Sequence, residues 1–169
     1  MTGSIPNQPA SFEPIDDTEP LVQTLAGAKV HALIVDDNDT NRKVLAAMCE
    51  LFDCSSFLAK DGVEAVEAFC TMPFDIILMD IDMPRMDGIE ATRIIRGCWE
   101  PGRSIPIVAV TASVDPSDLR AYADVGMNGV VAKPIDASRL LEAISKAVGT
   151  SLAKRALSRR SEAVGEARS

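Results

Sequence analysis

The sequence is poor in the residues that several functional classes require. Its 169 residues contain one histidine, one tyrosine, one tryptophan and four cysteines. The cysteines show neither a CxxC pair nor any other zinc-ligand spacing, which argues against the common structural zinc sites. We expect all four to be reduced thiols, with Cys49 and Cys54 filling core or sub-surface positions. The single histidine, His31, is predicted to be a satisfied or partly exposed strand residue rather than a phosphodonor.

Positive charge and long apolar runs are also scarce. The formal net charge is −8 and the pI is about 4.6, so a nucleic-acid partner held by a basic surface is not expected. No apolar stretch approaches the roughly 20 residues that a membrane-spanning helix needs, and no signal peptide is evident. We therefore expect no membrane insertion and, by default, a cytoplasmic location. The 47% hydrophobic content is enough to build the core of one domain.

Composition divides the chain into three parts. Residues 1–28 are rich in proline and acidic residues and are predicted to form a flexible acidic leader. Residues 29–149 carry regular apolar patterning and form the expected domain. Residues 150–169 are basic and are expected to be a tail or an extension of the last helix. Because about 20 residues after the last helix are too few for a DNA-binding or catalytic output domain, we expect none in this sequence.

Five short apolar runs alternate with five segments of helical periodicity. The runs predict strands at Val30–Val35, Ser55–Ala59, Phe74–Met79, Pro106–Val110 and Gly129–Ala132. The periodic segments predict helices from Asn38 to about Phe52, Gly62 to about Cys70, Ile89 to Cys98, Asp115-Pro116 to near Gly126, and Asp136 (as N-cap) to Val148. This order predicts an α/β fold with a doubly wound, five-stranded parallel sheet, (βα)5.

Polar side chains stand at the ends of four of these strands. Asp36 and Asp37 follow the first strand, Asp80 the third, Thr111 the fourth and Lys133 the fifth. In an open parallel sheet, groups at the carboxyl ends of the strands meet in one crevice, where ligands bind. Three carboxylates, a hydroxyl and an ammonium would be a poor core, because uncompensated buried charges are costly. The set becomes sensible with a divalent cation and a phosphoryl group, and it predicts a phosphate-accepting switch.

Four short motifs in this order resemble a known family. The chain is similar to the receiver domain of two-component response regulators, with a flavodoxin-like (CheY-like) fold. The matching segments are VDDN at Val35–Asn38, LMDIDMPRMDG at Leu78–Gly88, AVTA at Ala109–Ala112 and AKPI at Ala132–Ile135. The segments EATRIIR and GMN further resemble receivers attached to, or served by, hybrid histidine kinases. The resemblance covers roughly residues 29–149 and implies a stand-alone, single-domain bacterial regulator.

The resemblance implies a role for each acidic residue of the crevice. Asp80 would accept the phosphoryl group as an aspartyl phosphate. Asp37 would bind Mg²⁺ directly, Asp36 would help through a water or a direct contact, and Asp80 and the backbone carbonyl of Asp82 would complete the protein ligands. Mg²⁺ favours oxygen ligands and keeps several waters. The side chain of Asp82 would lie near the path of attacking water and tune hydrolysis.

The resemblance also implies a switch. Lys133 would contact a phosphate oxygen and pair with Asp80 in the empty site, and Pro134 would follow a cis peptide bond. Thr111 would turn toward the phosphoryl group and move the following loop, while the small Ala112 leaves access for a phosphohistidine. Val130 stands where many receivers carry an aromatic residue, so coupling would depend on backbone movement around Thr111 or on Tyr122.

These residues predict a phosphoacceptor protein that is not an enzyme, apart from slow self-dephosphorylation. The expected partners are a histidine kinase or histidine phosphotransfer protein, docked on the first helix, and a downstream protein on the face of the fourth and fifth helices. Two alternatives remain open. One is a receiver-like scaffold that is not phosphorylated. The other is a haloacid-dehalogenase-type phosphatase, since Asp80-Ile81-Asp82 satisfies a bare DxD pattern.

Overall fold

The computed structural model of the chain describes residues 29–98 and 102–149. The strands are β1 (Val30–Val35), β2 (Cys54–Ala59), β3 (Ile76–Asp80), β4 (Ile107–Thr111) and β5 (Gly129–Ala132). The helices are α1 (Asp39–Glu50), α2 (Gly62–Thr71), α3 (Gly88–Gly97) and α4 (Pro116–Asp124), followed by α5 over residues 137–149. The predicted leader and basic tail lie outside the described residues.

The five strands form one parallel sheet in the order β2-β1-β3-β4-β5. The chain moves from β1 to one edge and then returns across β1 to build the other half, as the doubly wound prediction requires. The central strands β3 and β4 are buried at every position. Uninterrupted burial of this kind is typical of parallel strands covered by helices on both faces.

Side chains that alternate along each strand feed two separate cores. On one face Leu33, Val35 and Met79 pack with residues of α2, α3 and α4. On the other face Ile34 and Leu78 pack with residues of α1 and α5. The period-two alternation of the strands therefore assigns the five helices to two layers.

The predicted elements are all present, and their bounds differ from prediction by two residues or fewer. The first helix begins after Asn38, whose side chain accepts hydrogen bonds from Thr40 N and Asn41 N, and ends at Glu50 rather than Phe52. The fourth helix ends at Asp124 rather than near Gly126, which adopts the left-handed conformation with φ 88°. Asp136 caps α5 by accepting a hydrogen bond from Arg139 N at 3.0 Å.

Candidate phosphoryl-acceptor site

The predicted crevice forms at the carboxyl ends of β1, β3, β4 and β5. Asp36 and Asp37 directly follow β1, and Asp80 is the last residue of the neighbouring β3. Thr111 ends β4, and Lys133 follows β5, with Lys133 N donating to the Thr111 carbonyl at 2.8 Å. Adjacent parallel strands end at the same edge, so the topology brings together residues that lie far apart in the sequence.

Three carboxylates meet at this edge. One oxygen from each of Asp36, Asp37 and Asp80 lies within 4.8 Å of the others. Asp36 and Asp80 are buried, whereas Asp37 is exposed. The cluster therefore has two acids fixed in the protein and one that faces solvent, which is an arrangement that an incoming cation can reach.

Lys133 is the cation of the cluster. Its Nζ lies 2.9 Å from Asp36 Oδ2 and 3.0 Å from Asp80 Oδ1. The predicted pairing with Asp80 is present in the geometry, and the additional contact with Asp36 was not predicted. The Lys133–Pro134 peptide bond is cis, as predicted. Burial alone would lower the pKa of Lys133, but its hydrogen bonds to Asp36 and Asp80 raise that pKa above its ordinary value.

Burial shapes the protonation of Asp80. Desolvation raises the pKa of Asp80 above its ordinary value, and the charges of Asp36 and Asp37 act in the same direction. The hydrogen bond from Lys133 opposes them. One ammonium thus only partly offsets three neighbouring carboxylates, so the cluster favours the binding of a further positive charge.

The loop that follows β1 fixes Asp36. Its Oδ1 accepts hydrogen bonds from Asn38 N at 2.8 Å and from Asn41 Nδ2 at 3.2 Å. Asn41 Nδ2 also lies 3.2 Å from Oδ2, and Arg42 donates to the Asp36 carbonyl at 2.7 Å. No role was predicted for Asn41. Its position in the first turn of a helix that begins beside the acid pair is the signal that could have identified it.

The loop after β3 packs tightly against Asp80. Gly88 N donates to the Ile81 carbonyl at 2.9 Å, and a side chain at Gly88 would overlap the Asp80 carbonyl oxygen. Only glycine fits this close approach, which explains the glycine at the end of the predicted motif. Asp82, in the same loop, is exposed. Its proposed carbonyl contact with a metal stays a prediction.

A second ion pair anchors the far side of this loop. Arg85, with φ 68°, contacts the buried carboxylate of Asp61, which also caps α2 by accepting from Glu64 N at 3.0 Å. Gly62 N donates to the Met86 carbonyl at 3.2 Å. The pair of Arg85 and Asp61 was not predicted, although an aspartate at position 61, three residues before Glu64, is a helix-start signal.

The hydroxyl end of the crevice contains Thr111 and Tyr122. Thr111 is buried, and its Oγ1 accepts a hydrogen bond from Ser113 N at 3.1 Å and lies 3.3 Å from the Tyr122 hydroxyl. Ala112 is exposed. Val130 on β5 is partly buried and packs against the core that contains Tyr122. The predicted proximity of Tyr122 to Thr111 is therefore present, whereas the switching role of these residues stays a prediction.

The histidine and the buried cysteines, for which we expected no chemical role, lie in positions where they contribute to packing and hydrogen bonding. His31 Nδ1 lies 2.8 Å from Ser55 Oγ, and its ring stacks on Phe74 with centroids 5.0 Å apart. All four cysteines are free, with Cys49 and Cys54 buried. Burial raises the pKa of the Cys49 thiol to about 12, so this cysteine is not a nucleophile near neutral pH. The expected placements of His31, Cys49 and Cys54 are confirmed, whereas the absence of a phosphodonor role for His31 stays a prediction.

Comparison with known proteins places this geometry in a family. The response regulator receiver domain family matches residues 32–145. The autoinducer 2 sensor kinase/phosphatase LuxQ of Vibrio vulnificus is 39% identical over 123 residues, which are 73% of this chain and 14% of that protein. The sensor histidine kinase GacS of Pseudomonas protegens is 34% identical over 143 residues, which are 83% of this chain and 16% of that protein. The chain thus spans a small fraction of the length of these relatives.

A solved structure shows the same relationship. The receiver domain of a sensor histidine kinase from Pseudomonas aeruginosa, with a magnesium ion coordinated in its active site cleft, is 36% identical. It superposes with a TM-score of 0.67, covering 72% of this chain and 99% of that one. The predicted fold is confirmed, and neither the scaffold nor the phosphatase alternative is favoured by these likenesses.

In the described ranges, no helix combines the length and the apolar character needed to cross a membrane.

Proposed function

Because the chain belongs to the response regulator receiver domain family, we propose that Asp80 accepts a phosphoryl group from a phosphohistidine. One observation carries the proposal. Three carboxylates lie within 4.8 Å of one another, and the single lysine among them contacts two. A cluster that lacks positive charge beside a buried nucleophile suits phosphoryl transfer, which depends mainly on positioning and charge neutralisation.

The donor set fits Mg²⁺. Carboxylate oxygens are hard ligands, and Mg²⁺ is commonly held by one or two carboxylates while it keeps several waters. Asp36, Asp37 and Asp80 would hold the ion, together with the Asp82 carbonyl that the family resemblance implies. When bound, Mg²⁺ neutralises the charge on the phosphoryl oxygens during transfer. The magnesium in the cleft of the Pseudomonas aeruginosa receiver domain supports this assignment.

Asp80 acts as the nucleophile in this proposal. A carboxylate oxygen forms a bond to phosphorus while the bond between phosphorus and the imidazole nitrogen breaks, and the imidazole leaves with the electron pair and takes a proton. The product is an acyl phosphate on Asp80. Lys133, already 3.0 Å from Asp80, supports the ionised carboxylate before transfer and would contact a phosphoryl oxygen afterwards.

Thr111 and Ala112 would convert this event into a change of shape. The Thr111 hydroxyl would move to a phosphoryl oxygen and carry the residues after β4 with it, while the exposed Ala112 leaves the approach to Asp80 open. This local electrostatic change would bias a loop with two arrangements. Asp82, exposed beside the site, would tune hydrolysis of the acyl phosphate.

The biological role follows from this chemistry. We infer a signalling phosphoacceptor rather than a turnover enzyme, with slow self-dephosphorylation. Residues 29–149 would be the receiver domain, and residues 1–28 and 150–169 would flank it. A histidine kinase or histidine phosphotransfer protein would supply the phosphoryl group, and a downstream protein or a further histidine would receive the signal. The free cysteines and the net charge of −8 are consistent with a cytoplasmic location and with no nucleic-acid partner.

Intact-mass measurement tests the proposal. Incubation with acetyl phosphate and Mg²⁺ should add the mass of one phosphoryl group, and EDTA should prevent the addition. Asp80→Asn should abolish it, whereas the matched variant of the exposed neighbour, Asp82→Asn, should still be phosphorylated. Equal labelling of Asp80→Asn would refute the assignment. Rapid, multiple-turnover release of phosphate from esters would favour a phosphatase.

A further inference from the structure

The Thr111 hydroxyl has two partners in the described part of the chain, and neither is a carboxylate. Ser113 N donates to Thr111 Oγ1 at 3.1 Å, and the Tyr122 hydroxyl lies 3.3 Å from the same atom. The Tyr122 hydroxyl also donates to the Ser113 carbonyl at 3.5 Å. Thr111, Ser113 and Tyr122 thus form a closed set of contacts that joins the end of β4, the following loop and α4.

Tyr122 is well placed to hold this set. Its residue is 4% exposed, and its ring belongs to the core beneath the α4 side of the sheet. It is the only tyrosine in the sequence. A buried hydroxyl needs a partner, because leaving it unpaired costs free energy. Tyr122 therefore favours the arrangement in which Thr111 and Ser113 remain in contact with it.

The strand next to Thr111 offers no competing group. Val130 on β5 is partly buried against the same core, and its side chain has no hydroxyl that could form a hydrogen bond with Thr111. The loop itself is further tied to α4, since Ser113 Oγ contacts the Asp118 carboxylate. The aromatic hydroxyl that contacts Thr111 thus comes from α4 and not from β5, and the same arrangement pairs Lys133 directly with Asp80.

We propose that the Tyr122 hydroxyl is a latch on the resting state. It holds Thr111 and the Ser113 backbone in the arrangement seen here and so opposes the shift that phosphorylation of Asp80 drives. This inference rests on the proposed function. When Thr111 moves to a phosphoryl oxygen, Tyr122 loses its contact with Thr111. The active arrangement is therefore less stable by the free energy of that contact. Tyr122 is a positioning residue, since it acts through Thr111 and not on the reacting atoms.

The length of the contact limits the size of the effect. A neutral hydrogen bond changes an equilibrium by about three- to tenfold, and a separation of 3.3 Å is long for two hydroxyls. We therefore expect the latch to change the ratio of resting to active states by about two- to fivefold. A ligand that selects the active state would bind correspondingly tighter when the latch is removed.

Beryllofluoride, a mimic of the phosphoryl group, provides the probe. With Mg²⁺ present, Tyr122→Phe should bind beryllofluoride about two- to fivefold more tightly than the unmodified chain, measured by titration of amide NMR signals. In the free variant, the Ala112 and Ser113 amide signals should also move toward their beryllofluoride-bound positions. In a Thr111→Val background the Tyr122→Phe substitution should change the affinity less than it does in the unmodified chain, because only the 3.5 Å contact of Tyr122 with the Ser113 carbonyl then remains to be lost.

The outcomes separate this inference from the proposed function. If the unmodified chain does not bind beryllofluoride, or if Asp80→Asn binds it equally well, the proposed function fails. If the unmodified chain binds it through Asp80 but Tyr122→Phe binds it equally or more weakly, the latch is refuted and the proposed function stands. Tyr122→Phe keeps the ring in the core, and the Thr111→Val cycle identifies any affinity change that arises from altered packing instead.

Discussion

Asp61 and the cluster of Asp36, Asp37 and Asp80 lie at the same end of the parallel strands, and their electrostatics differ. Asp61, two residues after β2, is one acid that caps α2 and contacts Arg85. Burial works against its charge, but the hydrogen bonds from Glu64 N and Arg85 hold the pKa of Asp61 below its ordinary value. The cluster of Asp36, Asp37 and Asp80 has three acids and one lysine, and the pKa of Asp80 is raised.

We propose that this difference separates an acid that stabilises the fold from acids that bind a ligand. Asp61 has its partners within the chain, so it stabilises the fold without any addition. The cluster of Asp36, Asp37 and Asp80 carries more negative than positive charge. Binding of a cation would offset the free-energy cost of holding these carboxylates close together. The following predictions test this contrast, starting with the largest expected effect.

Removal of the Lys133 ammonium from the cluster should have the largest effect on the free energy of unfolding. Lys133→Ala leaves Asp36 and Asp80 buried without their ammonium, and losing one partner of a buried pair costs about 3 kcal/mol. We expect that loss in the free energy of unfolding, measured with urea in EDTA, and a smaller loss with excess Mg²⁺. Lys43→Ala, which breaks an exposed pair with Asp39, is the control and should change little. Equal losses of unfolding free energy in Lys133→Ala and Lys43→Ala would contradict the proposed difference between the buried cluster and ordinary ion pairs.

Loss of the structural acid should come next. Asp61→Ala removes the side chain that accepts from Glu64 N at 3.0 Å, and loss of a helix cap costs about 1 kcal/mol. Thermal unfolding should show this loss equally with and without Mg²⁺, because Asp61 belongs to no metal cluster in the described residues. Asp61→Asn keeps an oxygen for the cap and should lose less. A loss that Mg²⁺ reverses would show that the two groups are coupled.

Neutralising Asp80, the proposed phosphoacceptor, should change stability in the opposite direction. In EDTA, Asp80→Asn should raise the free energy of unfolding by up to about 1 kcal/mol, because it removes one of the two buried acids in a cluster of three mutually repelling carboxylates. Added Mg²⁺ should stabilise the unmodified chain more than this variant. Urea unfolding of both proteins with and without Mg²⁺ measures the two differences. Destabilisation by Asp80→Asn in EDTA would mean that Lys133 already compensates the cluster.

The smallest expected effect is a pH dependence at Asp61. Its pKa is lowered on folding, so its ionised form contributes stability above its ordinary pKa near 3.8, and that contribution is lost as the pH falls through the lower folded value. The stability difference between the unmodified chain and Asp61→Asn should stay constant from pH 7 to about pH 5 and shrink at lower pH. The partner Arg85 is exposed, so the difference should be small. A difference that varies between pH 5 and 7 would contradict this assignment.

The sequence was sufficient to predict the fold and the principal residues of the cluster. Alternating apolar runs and periodic segments imply parallel strands, and parallel strands bring their carboxyl ends to one edge. Asp36, Asp37, Asp80 and Lys133 are assembled by that rule, without any knowledge of distances. Element ends were predicted less accurately, because caps such as Asn38 depend on local backbone geometry.

Contacts between loops were beyond sequence reasoning. Arg85 and Asp61 lie 24 residues apart, in loops that are adjacent only after β1, β2 and β3 have paired. The contact of Lys133 with Asp36 spans 97 residues and depends on side-chain conformation. No periodicity or motif encodes these pairs, whereas the capping signals at Asp61 and Asp87 can be recognised from the glutamates three residues later.

Direct measurement of Mg²⁺ binding tests the central claim most sharply. Isothermal titration of the chain with MgCl₂ should show one site, and Asp37→Asn should weaken or abolish it because this variant removes the exposed ligand of the cluster. Asp82→Asn should retain binding, since the backbone carbonyl is kept. Absence of Mg²⁺ binding by the unmodified chain, or equal binding by Asp37→Asn, would contradict the proposal that this cluster is a metal-binding site.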